Sequence, residues 1–208
     1  KAKSVMSLGG LFFACQITYM LIANTNEFFI SQYTGPENVV EYQIYYRLFG
    51  LGGMLFSLAL TPIWSVVSRA ITEKDFLWLR GLYKKLRRLT WAGVLAEFLL
   101  IGFLQLFIDL WLGQEAIRVN YIYAMVFASF GAVMLFQSTF SAIANGIGAV
   151  KLQAICYAAG FCVKLLIIPA GCRLYPSWVI VVAADVLVLI PYCFLQKRQL
   201  DKLLTDSM

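Results

Sequence analysis

The sequence predicts an all-α, polytopic membrane protein with six transmembrane helices. Of the 208 residues, 61% are apolar and only 13% are charged, and the mean hydropathy is +0.77. Soluble domains are typically under about half apolar and carry roughly 25% charged residues. The apolar residues form continuous runs of about 20, the length at which a helix crosses the hydrocarbon core. A membrane β-barrel would need alternating segments of about 10 residues instead.

Six apolar runs are long enough to cross a bilayer as helices. They cover about residues 5–27, 40–68, 90–112, 119–144, 152–172 and 177–195. The connections are short except for a basic segment at 69–89. Within it, apolar residues share one helical face, which predicts an amphipathic helix over about 72–88 on an anionic membrane surface. This segment would act either as a topology anchor or as a direct contact to a substrate.

The distribution of Lys and Arg predicts the orientation of the helices. With a cytoplasmic N-terminus, thirteen of the 17 Lys and Arg residues fall at cytoplasmic ends, and only Arg118 and Arg173 fall outside. Arg47 and Lys164 lie within spans. Cytoplasmic loops carry an excess of Lys and Arg, so we expect both ends of the chain in the cytoplasm. The chain begins with Lys1 rather than Met, from which we expect a fragment or a processed form.

Several function classes have no support in the sequence. Histidine is absent, which removes the commonest metal ligand and acid–base side chain. The five cysteines form no CxxC pair, so no metal site and no cofactor are expected. No phosphate-binding loop, zinc-protease motif or GxSxG occurs, and no loop is large enough for a catalytic domain. We therefore expect neither an enzyme nor a nucleic-acid-binding protein, since membrane orientation explains the net charge of +6.

The second span carries a stripe of polar and small residues along one face. At 100° per residue, the stripe consists of Gln43, Arg47, Gly50, Met54, Ser57, Thr61, Ser65 and Ser68. Pro62 lies beside it and should bend the helix. Such a stripe faces protein or water rather than lipid. Packing of small residues would explain most of it, whereas Arg47 favours a polar pathway, unless its side chain only reaches to the outer interface.

Other polar residues lie deep in the predicted spans. Lys164 and Asp185 lie at similar depths by helical rise, which makes an ion pair between neighbouring helices plausible; its role would be charge neutralisation, gating or coupling. Glu27 lies near an outer end and is either interfacial or functional. Glu97 lies about 12 Å from an inner end, where it suits either proton coupling or a hydrogen-bonded structural role. A further polar patch comprises Gln137, Ser138, Ser141 and Asn145.

Four segments, in order, resemble bacterial oligosaccharide flippases of the Wzx type, in the multidrug/oligosaccharidyl-lipid/polysaccharide superfamily. They are ISQYTGPENVVEYQIYYRLF at 30–49, TPIWSVVSRAITEKDFLWLRGLYKKLRRL at 61–89, WLGQE at 111–115 and NGIGAVKLQ at 145–153. The resemblance is to the C-terminal six-helix lobe of a transporter of about twelve helices. It implies a missing N-terminal lobe as a partner. One departure is Arg69, at a position that is often acidic in the family.

The resemblance implies flipping of a lipid-linked oligosaccharide, with undecaprenyl diphosphate as the expected lipid carrier, across the bacterial cytoplasmic (inner) membrane by alternating access. It implies a cationic cavity, for which Arg47 and Lys164 are the candidates, with Gln43, Ser57 and Thr61 beside them. Glu27, Glu97 and Asp185 are the candidates for coupling or gating. The alternatives are a multidrug or cation exporter of the same superfamily and a structural membrane subunit without transport activity.

Overall fold

The computed structural model of the protein describes residues 2–113 and 117–206, with side chains over 9–113 and 117–205. Over these ranges the chain is almost entirely helical and contains no strand. Its helices are α1 (Ala2–Asn24), α2 (Asn26–Thr34), α3 (Glu37–Leu60), α4 (Ile63–Glu73), α5 (Phe76–Leu112), α6 (Tyr121–Ile147), α7 (Lys151–Leu174) and α8 (Val179–Asp206). Lys1, the side chain of Lys3, and Gln114 and Glu115 of the WLGQE segment lie outside the described residues.

Five helical stretches of the described chain are long and apolar enough to cross a membrane. They are 37–73, which joins α3 and α4, then α5, α6, α7 and 179–205. The remaining predicted span, the first at 5–27, corresponds to α1, whose 23 residues measure about 35 Å at 1.5 Å per residue. The prediction of an all-α, polytopic membrane protein is confirmed.

Local sequence signals set several of the helix ends. Asn120 precedes α6, and its side-chain oxygen accepts from the backbone N–H groups of Ile122 and Tyr123 at 3.0 and 3.4 Å, which is an N-cap. Gly148 ends the same helix with φ +79°, a conformation that glycine adopts without a Cβ clash. The turn at Thr61 and Pro62 separates α3 from α4, as the prediction of a bend at Pro62 requires.

Three predicted boundaries differ clearly from the structure, one of them at the sixth span, which was expected to end at 195 although α8 continues to Asp206. The first span was expected to reach residue 27, but α1 ends at Asn24, and the short α2 begins after Thr25. The third span was expected to begin at 90, but α5 is one helix of 37 residues from Phe76. The basic segment is therefore the start of α5. Three of its apolar residues, Leu79, Tyr83 and Leu86, are buried in a cluster with residues of α4, α6 and α8.

The helix α6 lies at the centre of the bundle, where it packs against α3, α4, α5 and α8. Its middle is largely buried, as expected of a helix surrounded by other helices. Aromatic rings of α3 and α6 meet around the fully buried Trp178, which directly precedes α8. Its indole N–H donates to Glu41 at 2.9 Å. The outward faces of α5 and α7 expose apolar residues, as lipid-facing helices do.

Candidate functional site

A cleft separates α1 from α3 and contains much of the predicted polar stripe. The two helices lie on different neighbours, since α1 packs mainly on α7, and α3 packs mainly on α6. Two adjoining cavities of about 300 and 400 Å³ occupy the space between them. Both are lined by Tyr19 of α1, Ser57 of α3 and Ser138 of α6. The cleft therefore has walls from α1 and α3 and a floor from α6.

Each end of the cleft has a contact across it. At the end near α2, the Gln43 amide donates to the Glu27 carboxylate. At the other end, the rings of Phe12 and Trp64 meet edge to face with centroids 6.5 Å apart. The aromatic contact joins α1 to α4, whereas the polar contact joins α2 to α3, which also pack on each other. Each end of the cleft is thus narrowed by one side-chain contact.

The stripe of the second span divides between the cleft and the outer surface of α3. Gly50, Met54, Ser57 and Thr61 line the cleft, as expected for a polar face that avoids lipid. The Ser65 hydroxyl donates to the Pro62 carbonyl at 2.8 Å. This bond satisfies one of the carbonyls near the helix break. Ser57 and Thr61 therefore lie beside a cavity, and their part in substrate binding stays a prediction.

Arg47 lies at the rim of the cleft. It lines an open cavity of about 680 Å³ together with Trp111 of α5. This cavity shares Tyr46, Gly50 and Met54 with the cleft. The Arg47 side chain is exposed, and in the part of the chain whose side chains are described it makes no hydrogen bond or ion pair. A guanidinium without a partner beside a polar cleft can bind an anion through charge-assisted hydrogen bonds.

Lys164 and Asp185 form the predicted ion pair between α7 and α8. The Lys164 ammonium lies 2.7 Å from a carboxylate oxygen of Asp185, and both side chains are fully buried. Lys164 also donates to the Asn26 side chain at 2.6 Å and to the Ile22 carbonyl, and Asn26 donates to Asp185 at 2.6 Å. With these partners, buried ions are neutralised and hydrogen-bonded, as a low-dielectric interior requires.

This network corrects the expectation that Lys164 helps to form a cationic cavity. Its ammonium is sealed inside the bundle and its hydrogen-bonding capacity is used by protein groups. The depth counted along the helix was right, but the side chain points to the interface of α1, α2, α7 and α8. Of the two predicted cations, only Arg47 is available to a ligand in this conformation.

The deep polar patch of α6 forms a second buried network. Gln137 donates to the Tyr157 hydroxyl at 2.6 Å, and the Ser141 hydroxyl lies 2.8 Å from that of Tyr192. These contacts join α6 to α7 and α8 beneath the cleft. Asn145, near the C-terminal end of α6, lines the cleft, as does Gln153 of α7. The patch is therefore partly a structural network and partly a polar floor of the cleft.

Glu97 and Arg69 lie away from both networks. The Glu97 carboxyl of α5 is buried against α3 and α6, with one oxygen that has no partner among the described residues. Arg69 is exposed on α4 and pairs with Glu73 one turn later, at 2.7 Å. An exposed pair at this spacing contributes little to stability. The difference from the resembled family at Arg69 thus concerns the surface of α4.

Sequence reasoning missed Asn26 and the glycines around Glu97. Asn26 follows Asn24 and Thr25, and these three residues have low helix propensity, so a break in the first span was a readable signal. A Cβ added to Gly52 of α3 or to Gly131 of α6 would lie about 3 Å from the Glu97 carboxyl, at 3.0 and 2.9 Å. These glycines carry no signal of their own, because glycine in a membrane helix commonly serves packing.

Together, the fold and the residues define a class of protein: the chain is an all-α, multi-pass membrane protein. No family model matches the chain, and no curated protein or solved structure gives a significant match.

Proposed function

We propose that the chain is one lobe of a transporter that moves lipid-linked oligosaccharide across the bacterial cytoplasmic membrane, with both ends of the chain in the cytoplasm. The observation that carries the proposal is a polar cleft inside an apolar bundle, with the unpaired Arg47 at its rim. An anionic head group cannot cross about 30 Å of hydrocarbon without losing its hydration. In place of the lost hydration water, the cleft supplies hydroxyl and amide groups and one guanidinium.

The geometry suits an amphiphile with an anionic head. Tyr19, Ser57 and Ser138 line the head-group path, and Arg47 can bind a diphosphate through two parallel hydrogen bonds. The lipid tail would remain in the bilayer beside the exposed apolar faces of α3 and α5. A second lobe would cover the open side of the cleft, and rocking of the two lobes would expose the head to each side in turn.

The lining of the cleft argues against export of organic cations. Among the described residues, the two cleft cavities carry no carboxylate. Charged side chains lie at their edges, Arg47 at the rim and Glu27, held by Gln43, at the end near α2. A cationic drug would therefore meet a like charge at the rim and gain no counter-ion inside the cavities. A structural subunit without transport remains the second alternative, and accessibility of the cleft to water separates the two.

Replacement of Arg47 tests the anion-binding step. In cells that depend on the protein for surface polysaccharide, we expect Arg47→Ala to abolish or strongly reduce the polysaccharide, because the diphosphate loses its counter-charge. Arg47→Lys should retain part of the activity, since a point charge replaces a planar fork. Arg173→Ala, which removes an exposed charge at the end of α7, is the matched control. Normal polysaccharide in Arg47→Ala cells with normal protein levels would contradict the proposal.

Accessibility of single cysteines tests whether the cleft is hydrated. After replacement of the five native cysteines, a membrane-impermeant thiol reagent should modify Ser57→Cys and Thr61→Cys, because both positions line the cleft. Leu58→Cys is the control: Leu58 is 60% exposed but lies outside the cleft lining, where lipid would keep a thiol unreactive. Equal protection at all three positions would support simple helix packing instead.

A further inference from the structure

The Glu97 carboxyl is buried in the middle of α5 without a counter-ion. The residue is 5% exposed, and its Oε2 has no hydrogen-bond partner among the described residues. Burial of an ionised carboxylate in apolar surroundings without a partner is strongly unfavourable, and more so at membrane depth. Either the group carries a proton, or a cation compensates it.

Two glycines make room for this carboxyl. A Cβ atom added to Gly131 of α6 would lie 2.9 Å from the Glu97 Cδ, and one added to Gly52 of α3 would lie 3.0 Å from its Oε1. Any other residue at either position would press on the carboxyl. The group therefore occupies a fitted notch between α3 and α6 rather than an incidental gap.

Among the residues whose side chains the structure describes, none around the notch is a cation. The adjoining cavity, of about 340 Å³, contains Glu97 and otherwise apolar residues: Leu48, Leu51, Phe56, Leu100, Phe107 and Leu135. On the cleft side of Gly131, the titratable groups are the phenols of Tyr19 and Tyr46. The nearest described positive charge along α3 is Arg47, which lines the next cavity.

A proton fits this notch better than a metal ion. Groups of three or more metal-ligating side chains do not occur in the described part of the chain, and hard cations require several oxygen ligands. A proton needs only the carboxyl itself. The site also lies where its charge would matter, since it touches α3, which forms one wall of the cleft.

We propose that Glu97 is a proton-binding site that sets the position of α3. With the proton bound, the neutral carboxyl stays in the notch between Gly52 and Gly131, and α3 rests on α5 and α6. Release of the proton leaves a carboxylate that must move toward water or toward Arg47. Because Gly52 lies directly on the carboxyl, that movement displaces α3 and changes the width of the cleft. Proton binding and the movement of α3 do not depend on the proposed transport function. Only the role of that movement in transport rests on it.

The helix α3 is suited to such a movement. Its membrane stretch is far less buried than that of α6, and its middle, GLGGM at 50–54, contains three glycines. At Gly50 and Gly53 an added Cβ would meet nothing within 4 Å. Glycine lowers the cost of a backbone change. The turn at Thr61 and Pro62 further separates the movement of α3 from α4.

Infrared difference spectroscopy of the full protein in lipid vesicles tests the proton site. We expect a carbonyl band of a protonated carboxyl at neutral pH, its loss as the pH is raised, and its absence from Glu97→Gln. Glu97→Asp, which keeps a carboxyl, should restore a shifted band and confirms that loss is not a folding effect. A band that survives Glu97→Gln and disappears in Asp185→Asn would assign the proton to Asp185 and overturn the inference. Absence of any such band at every pH would overturn it as well.

The coupling to α3 has a separate measurement. In the cysteine-free background, the reactivity of Ser57→Cys should change with pH over the range in which the Glu97 band disappears, and this change should be lost with Glu97→Gln. An identical pH dependence in both proteins would refute the coupling. Neither measurement involves a glycan. A Glu97 band with normal polysaccharide in Arg47→Ala cells would therefore leave this inference standing while the proposed function fails.

Discussion

Lys164 combines two structural tasks at one atom. Its ammonium neutralises Asp185 and donates to the Ile22 carbonyl. Ile22 lies in the last turn of α1, where carbonyls have no partner within the helix. A positive charge at that end also suits the helix dipole. The buried pair therefore does more than cancel two charges, because it closes the end of α1 at the break before α2.

Removal of one member of this pair should destabilise the protein strongly. We expect Lys164→Met or Asp185→Asn alone to lower the free energy of unfolding by about 3–5 kcal/mol, since each leaves a buried polar group without its partner. The double replacement should cost less than the sum of the two. Thermal unfolding in detergent, arranged as a double-mutant cycle, measures the coupling.

The exposed pair of Arg69 and Glu73 is the control for that cycle, since its two charges already face solvent. Its coupling should be close to zero and should decrease further with salt. Additive effects at Lys164 and Asp185 would show that the buried pair contributes nothing beyond its separate residues.

The pairing of Lys164 with Asp185 was predictable, whereas its surroundings were not. Counting helical rise from the two span ends places both residues at one depth, because rise per residue is nearly constant. The direction in which each side chain points depends on helix packing. Asn26 reaches the ion pair because the helix breaks at Thr25. That break is decided by the balance between local helix propensity and tertiary contacts. Lys164 was therefore found at the right depth but given the wrong environment.

At the scale of elements, the contact between α4 and α6 depends on Gly146, because glycine has no side chain. A Cβ added to Gly146 would lie 2.6 Å from the Val67 Cβ and 2.8 Å from the Trp64 carbonyl oxygen. One of these atoms belongs to the backbone and cannot rotate away. The close approach brings α4 against α6 and so holds Trp64, which closes one end of the cleft against Phe12.

Gly146→Ala should therefore separate α4 from α6. We expect a loss of about 1–3 kcal/mol in the free energy of unfolding, typical of an overpacked interface. We also expect faster modification of a cysteine at Thr61, because the Trp64 contact loosens. Gly81→Ala is the matched control, since nothing lies within 4 Å of that added Cβ. A gain of up to about 1 kcal/mol is expected there from helix propensity. Equal stability of the two variants would argue against the close approach.

The extents of the helices were predictable where strong local signals exist. Asn120 and Gly148 limit α6 to Tyr121–Ile147, close to the predicted 119–144, because capping interactions act locally. The continuation of α5 to Phe76 was not predicted. The basic residues there suggested a separate surface helix, but the helix continues because Leu79, Tyr83 and Leu86 gain burial against other helices. Whether the rest of this segment lies on an anionic membrane surface stays a prediction.

At the scale of the whole molecule, the cleft arises from the order of packing. Because α1 packs mainly on α7, and α3 mainly on α6, the polar faces of α1 and α3 look toward a shared space. Periodicity identifies a polar face but not its neighbour, so the stripe of the second span could not be assigned to a cavity from sequence. The exposed apolar faces require lipid, while the open polar side requires water or a second lobe.

The final prediction concerns the orientation of the helices in the membrane. In a protein without native cysteines, Leu77→Cys at the start of α5 should react with an impermeant thiol reagent only after the cells are permeabilised. Leu174→Cys at the end of α7 should react in intact cells. The two leucines are 84% and 88% exposed, so accessibility to solvent is matched and only the side of the membrane differs. The Lys and Arg excess at the start of α5 predicts that Leu77 lies on the cytoplasmic side. Reaction of Leu77→Cys in intact cells, with protection of Leu174→Cys, would invert the topology and place the basic start of α5, together with the end of the cleft closed by Trp64, on the outer surface.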